Sequence, residues 1–130
     1  MTQLLAIALG GALGALGRHY AAGWVTGALG GGFPWGIFAV NVLGSFLMGG
    51  LVEGFARLGA PFAEARAFLA VGVLGGFTTF STFSLDAVLL IERGHIAQAA
   101  GYIVGSVVLA IGGLYFGMAV TRLALGGGAG

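Results

Sequence analysis

Residues 75–84 read Gly-Gly-Phe-Thr-Thr-Phe-Ser-Thr-Phe-Ser, within an apolar segment long enough to cross a bilayer. Hydrocarbon gives backbone and hydroxyl groups no water to bond. Five hydroxyl residues in the seven positions from Thr78 to Ser84 therefore need partners, or line a path for something polar. The Gly75-Gly76 pair loosens the helix just ahead of them. At helical spacing Phe77, Phe80 and Phe83 form one slowly drifting stripe; Thr78, Ser81 and Ser84 form another, with Thr82 one turn beyond Thr78. The phenylalanine spacing equally suits lipid contact or core packing. The hydroxyls equally suit back-bonding to the carbonyl one turn earlier.

Other segments add donors. Asn41 offers two amide hydrogens and a carbonyl, for an ion or for an interhelical hydrogen bond, and Ser45 lies one turn further along. Tyr102 and Ser106, four apart, share a helix face as a second donor track, although a tyrosine also suits an interfacial belt. Arg18 and His19 close the apolar part of the first segment, where an arginine either snorkels to the surface or makes a vestibule positive. Asp86 is placed to cap a helix or pair with Arg93, and Glu53 lies toward the opposite surface. No carboxylate pair, metal-spaced histidine cluster, phosphate loop or nucleophile–base set occurs, so the chain does not read as an enzyme. Hydroxyls, an amide and the positive edges of phenyl rings suit a small anion better than a cation.

These residues must be carried by membrane helices. The 130 residues are 58% hydrophobic and 7% charged, whereas a soluble domain carries about a quarter charged residues. There is no Lys, and a net charge of +1 leaves no basic patch for nucleic acid. Zero cysteines exclude disulfides, thiolate metal sites and a Cys nucleophile. Four segments of spanning length follow, at about 3–27, 34–56, 66–90 and 96–122. Gly30 to Gly32 with Pro34 make the first break, Arg57 to Arg66 with Pro61 the second, and Glu92 to His95 the third. Residues 126–130 read as a disordered glycine-rich tail.

Arg57, Arg66 and Arg122 fall at one end; Arg93 falls at the other, joined by Arg18 if the first segment brings it there. So even a balance sets orientation weakly, and opposite orientations can pair about a two-fold axis in the membrane plane. Small residues recur at spacing four in seven pairs, such as Gly10/Gly14, Gly23/Gly27, Gly101/Gly105 and Gly113/Gly117, which favours close helix packing. Four helices are few for a pore, so a dimer is expected.

Three stretches carry a resemblance: Gly10–Tyr20 (GGALGALGRHY), Phe33–Phe46 (FPWGIFAVNVLGSF) and Gly72–Ser84 (GVLGGFTTFSTFS). In these motifs, their order and their spacing, the chain resembles the CrcB/Fluc family of fluoride ion channels. The resemblance implies an all-α, dual-topology (antiparallel) homodimer in the cell inner membrane, with the third helix of each subunit broken mid-membrane. It implies two pores lined by Asn41, Phe80 and Phe83, with Ser81, Thr82, Tyr102 and Ser106 on polar-track positions. It also implies a structural Na⁺ at the dimer centre, held by the backbone carbonyls of Gly75 and Thr78 of each subunit. Arg18 matches the arginine of the first motif, in a structural or vestibule role, and Asp86 stands where the family commonly has a glutamate. The implied function is passive efflux of fluoride, which enters cells as neutral HF and is trapped there as the anion. The alternatives are a small dual-topology multidrug transporter, which needs an acidic residue inside the first span that this chain lacks, and a structural membrane subunit.

Overall fold

The computed structural model describes residues 2–58 and 62–126, which are helical apart from the connections and two extended residues, Thr78 and Thr79. Helix α1 runs Thr2–Leu29, α2 Trp35–Leu58 and α6 Ile96–Ala124. The third span comprises α3 (Ala63–Arg66), a π-helical segment (Ala67–Leu74), α4 (Gly75–Phe77) and α5 (Phe80–Glu92). Four helices, Thr2–Leu29, Trp35–Leu58, Ala63–Glu92 and Ile96–Ala124, are long and apolar enough to cross a membrane. The sequence boundaries fall within three residues of these; every C-terminal boundary is two residues short, because hydropathy marks the hydrocarbon-length core while the helical hydrogen bonds run on beyond it.

Each described connection has a local cause. Gly30 takes φ +94° as its N–H reaches the Thr26 carbonyl, a left-handed stop to α1. Gly94 does the same after α5 with φ +80°, its N–H on the Ile91 carbonyl. Pro34 directly precedes α2, and its carbonyl accepts the Phe38 N–H at 3.1 Å. The Pro61 turn and the tail beyond Gly126 lie outside the described residues.

Small residues set the packing. A Cβ on Gly10 would strike the Phe68 carbonyl, and one on Gly14 the Val73 carbonyl, so α1 lies backbone-to-backbone on the third span. In the same way Gly49 meets the Leu114 carbonyl and Gly117 the Phe46 carbonyl, joining α2 to α6. Gly23, Gly27 and Gly101 face open space within this chain. One buried cluster joins α5 to α6, comprising Phe83, Ala87, Leu90, Ala99 and Tyr102 with Phe33, Ile37 and Phe38 against it; Val40, Phe55, Ala67, Ala70 and Leu74 are also buried. At one end Glu53 accepts from Arg57 at 2.8 Å and from Arg122 at 3.0 Å, tying α2 to α6.

Candidate functional site

The third span changes course at two residues. Thr78 (φ −88°, ψ 157°) and Thr79 (φ −153°, ψ 124°) are extended between α4 and α5. Extended backbone in an apolar bundle must find its hydrogen bonds elsewhere, and here side chains supply them. Asn41 on α2 grips Thr79 at both ends of its backbone. Its amide nitrogen donates to the Thr79 carbonyl at 3.0 Å, and its Oδ1 accepts the Thr79 N–H at 2.8 Å. The Thr79 hydroxyl accepts the Thr82 N–H at 3.2 Å, capping α5. Gly44, one turn beyond Asn41 near its C-terminal side, leaves room for the Thr78 methyl group.

These bonds have a consequence for two carbonyls. In a continuous α-helix the Thr79 N–H would go to the Gly75 carbonyl and the Thr82 N–H to that of Thr78. Both N–H groups are instead diverted, to Asn41 and to the Thr79 hydroxyl. The Thr78 carbonyl meets only a long 3.4 Å contact from the Arg18 guanidinium. Among the described residues no group of three or more His, Asp or Glu could hold a metal ion, so a cation here would have to use carbonyls.

Beside this turn lies a cavity of about 400 Å³ that Asn41, Gly75, Thr78, Phe80, Phe83 and Ser106 help to line. Phe83 is buried and its ring centroid lies 5.4 Å from that of Phe80, which is 77% exposed on the chain's outer surface. Among the described residues the Ser106 hydroxyl is buried with no hydrogen-bond partner. A buried hydroxyl of this kind is uncommon.

The remaining candidates separate. Tyr102 is fully buried, which removes the interfacial-belt alternative; it stacks on Phe83 at 5.0 Å and donates to Asp86 at 3.1 Å. Asp86 therefore holds Tyr102, and no ion pair with Arg93 forms among the described residues. A second cavity of about 600 Å³ collects Arg18, His19, Thr82, Asp86 and Arg93, so the first span does bring Arg18 to the Arg93 end. Ser81 is exposed, with its Oγ 3.4 Å from the Thr79 hydroxyl. Back-bonding accounts for two of the five hydroxyls, Thr78 on the Leu74 carbonyl and Ser84 on that of Phe80.

Thr79 is the residue that sequence reasoning passed over. Its signal was a threonine three residues ahead of Thr82, the spacing of an N-cap, hidden inside what looks like a continuous apolar helix.

Residues 5–118 match the family model described as CrcB-like protein, Camphor Resistance (CrcB). The "Fluoride-specific ion channel FluC" of Rhodospirillum centenum is 50% identical over 125 residues, covering 96% of this chain and 99% of its own. The protein of the same name from Agrobacterium fabrum is 48% identical over 94% of this chain and 98% of its own length. That of Nitrobacter winogradskyi is 50% identical, with 94% and 97% covered. Membrane-length helices together with these relatives make the protein a multi-pass membrane protein. The chain belongs to the CrcB family, a family of ion channels and not of enzymes.

Proposed function

We propose that this protein is a fluoride-selective channel that lets F⁻ leave the cytoplasm passively across the cell inner membrane and so relieves fluoride toxicity. The observation that carries the reading is the Ser106 hydroxyl, buried and unpartnered in a cavity walled by Phe80 and Phe83. Fluoride is small, strongly hydrated and a strong hydrogen-bond acceptor. It can shed water only where donors stand close by, and a hydroxyl plus the positive edges of phenyl rings are such donors. Asn41 has a second amide hydrogen beyond the one spent on Thr79, and it lines the same cavity. Thr82 lines the wider cavity, where Arg18 and Arg93 raise the potential and gather anions; Ser81, exposed near Thr79, and Tyr102, whose hydroxyl is held by Asp86, are the further polar-track positions of this reading.

The conducting unit in this reading is a homodimer of opposite orientations with two pores, each built by both subunits. Its support is the outward-facing Phe80 ring, the small faces at Gly23, Gly27 and Gly101 that meet nothing in their own chain, and the near balance of arginines between the two ends. The interruption at Thr78–Thr79 then lies at membrane depth, where unwound backbone is tolerated if its carbonyls are used. The Gly75 and Thr78 carbonyls lose their helical N–H partners to Asn41 and to the Thr79 hydroxyl, and neutral carbonyl oxygens are the kind of donor a sodium ion takes, although the Thr78 carbonyl also meets the Arg18 guanidinium at 3.4 Å. Bound there by both subunits, sodium would supply fixed positive charge at the dimer centre.

Fluoride efflux from liposomes containing the purified protein tests the proposal. Release of fluoride with little chloride flux is expected, and equal flux of the two ions would overturn it.

A further inference from the structure

We infer that a hollow between α2 and the start of the third span binds an anionic phospholipid, with the headgroup phosphate on the Arg66 guanidinium and an acyl chain running inward from it. The cavity, of about 230 Å³, is walled by Val52, Phe55 and Ala56 on one side and by Arg66 and Ala70 on the other. Positions three and four apart share a helix face, so each wall is one face of its own element. Ala56 and Ala70 end at Cβ, and the space lies where longer side chains would otherwise meet. Val52 lies four residues inward of Ala56, and Ala70 four inward of Arg66, roughly 6 Å along a helix. The hollow thus runs from a charged rim toward the hydrocarbon. Phe62, just before α3, packs its ring on that of Phe55 with centroids 6.3 Å apart, in the place aromatic residues take at a membrane interface.

Charge selects the occupant. Three arginines fall at this end, Arg57, Arg66 and Arg122, each in the last turn of its helix. Arg57 and Arg122 both pair with Glu53, so a carboxylate of the chain already meets them. Arg66 is exposed and has no ion-pair partner among the described residues. Glu64, two positions earlier, points about 200° around the helix from it. A guanidinium takes a phosphate through paired N–H donors. Water does not suit the space behind it, because a buried water needs about two to four polar partners and the walls offer one polar side chain. A bilayer supplies the phosphate and the chain in one molecule. None of the five wall residues lines either cavity assigned to fluoride, so lipid binding is separable from conduction.

Dioleoyl phosphatidylglycerol and dioleoyl phosphatidylcholine, titrated separately into the purified protein in micelles and counted on it by native mass spectrometry, test the inference. Wild type should bind phosphatidylglycerol about fivefold more tightly, the effect of one arginine at an anionic surface. Arg66→Gln should abolish that preference and Arg66→Lys should keep most of it. Equal affinity of wild type for the two lipids would overturn the inference, as would a preference that survives in Arg66→Gln. Failure of Arg66→Gln to assemble would also overturn it, since the guanidinium would then have a protein partner. Ala56→Leu leaves every charge in place and fills the hollow, so it should weaken the binding of both lipids; unchanged affinity in it would mean that no chain lies there. Excess glycerol 3-phosphate should leave the lipid bound. Displacement by it would make the phosphate alone the ligand and sink the lipid assignment.

Discussion

Replacing Asn41 by Asp changes one donor into an acceptor and adds a charge, at almost constant volume. Its Oδ1 still accepts the Thr79 N–H now held at 2.8 Å, but the 3.0 Å bond to the Thr79 carbonyl becomes an opposition of two oxygens. Losing that bond costs about 1–3 kcal/mol of stability. The larger effect falls on the anion. A cavity of about 400 Å³ has an equivalent radius of about 4.6 Å, so an ion within it sits roughly 5 Å from a wall carboxylate. At an effective dielectric constant of about 20, two negative charges at that distance repel by about 3 kcal/mol, roughly a hundredfold in occupancy. Fluoride efflux from liposomes, followed with a fluoride electrode, should fall by about that factor, while size-exclusion chromatography still shows an assembled protein. Wild-type flux from an assembled Asn41→Asp protein would refute the placing of the ion beside Asn41.

Other perturbations separate packing from conduction. Phe80→Ile removes ring edges from the cavity wall without emptying a core, because Phe80 is 77% exposed on its own chain; flux should drop about tenfold or more with assembly retained, as read by efflux and chromatography. Ser106→Ala deletes a buried hydroxyl that has no partner among the described residues, so thermal stability should hold or rise by about 1 kcal/mol while fluoride flux falls; a clear loss of stability would show that the hydroxyl has a structural partner. Gly14→Val drives a side chain into the Val73 carbonyl on the third span and should destabilise by about 1–3 kcal/mol or abolish assembly, whereas Gly11→Val, where a Cβ meets nothing in the chain, should leave intramolecular packing intact when both are compared by melting temperature.

The limits of sequence reading are clearest in the Phe77, Phe80 and Phe83 series. Equal spacing implies one stripe only if the helix is continuous. Two extended residues between Phe77 and Phe80 break the phase, so Phe77 packs near Gly17 and Gly44, Phe80 points outward and Phe83 is buried. The hydroxyls divide for the same reason. Thr78 bonds back into the turn before the extension, while Thr79, Ser81 and Thr82 cluster after it. Asn41 was legible as a polar group needing a partner, but not as a clamp, because its partner is a backbone 38 residues away. Asp86 could be matched with Arg93 by proximity along the chain, yet Tyr102 reaches it first across the α5–α6 contact.

What the sequence by itself determined is everything that depends on local composition and period. Hydropathy marks the four membrane-length helices, Gly30 to Gly32 with Pro34 and Glu92 to His95 mark the breaks between spans, and the spacing of Gly10/Gly14 and Gly113/Gly117 marks faces for close approach. The motifs also sufficed for the family, since their residue order is itself the signature. Tertiary structure alone decided which donors are spent and which are free. A hydrogen bond consumes a group through contacts distant in sequence, and only those contacts show that Asn41 and Thr79 satisfy the turn while the Ser106 hydroxyl remains without a partner.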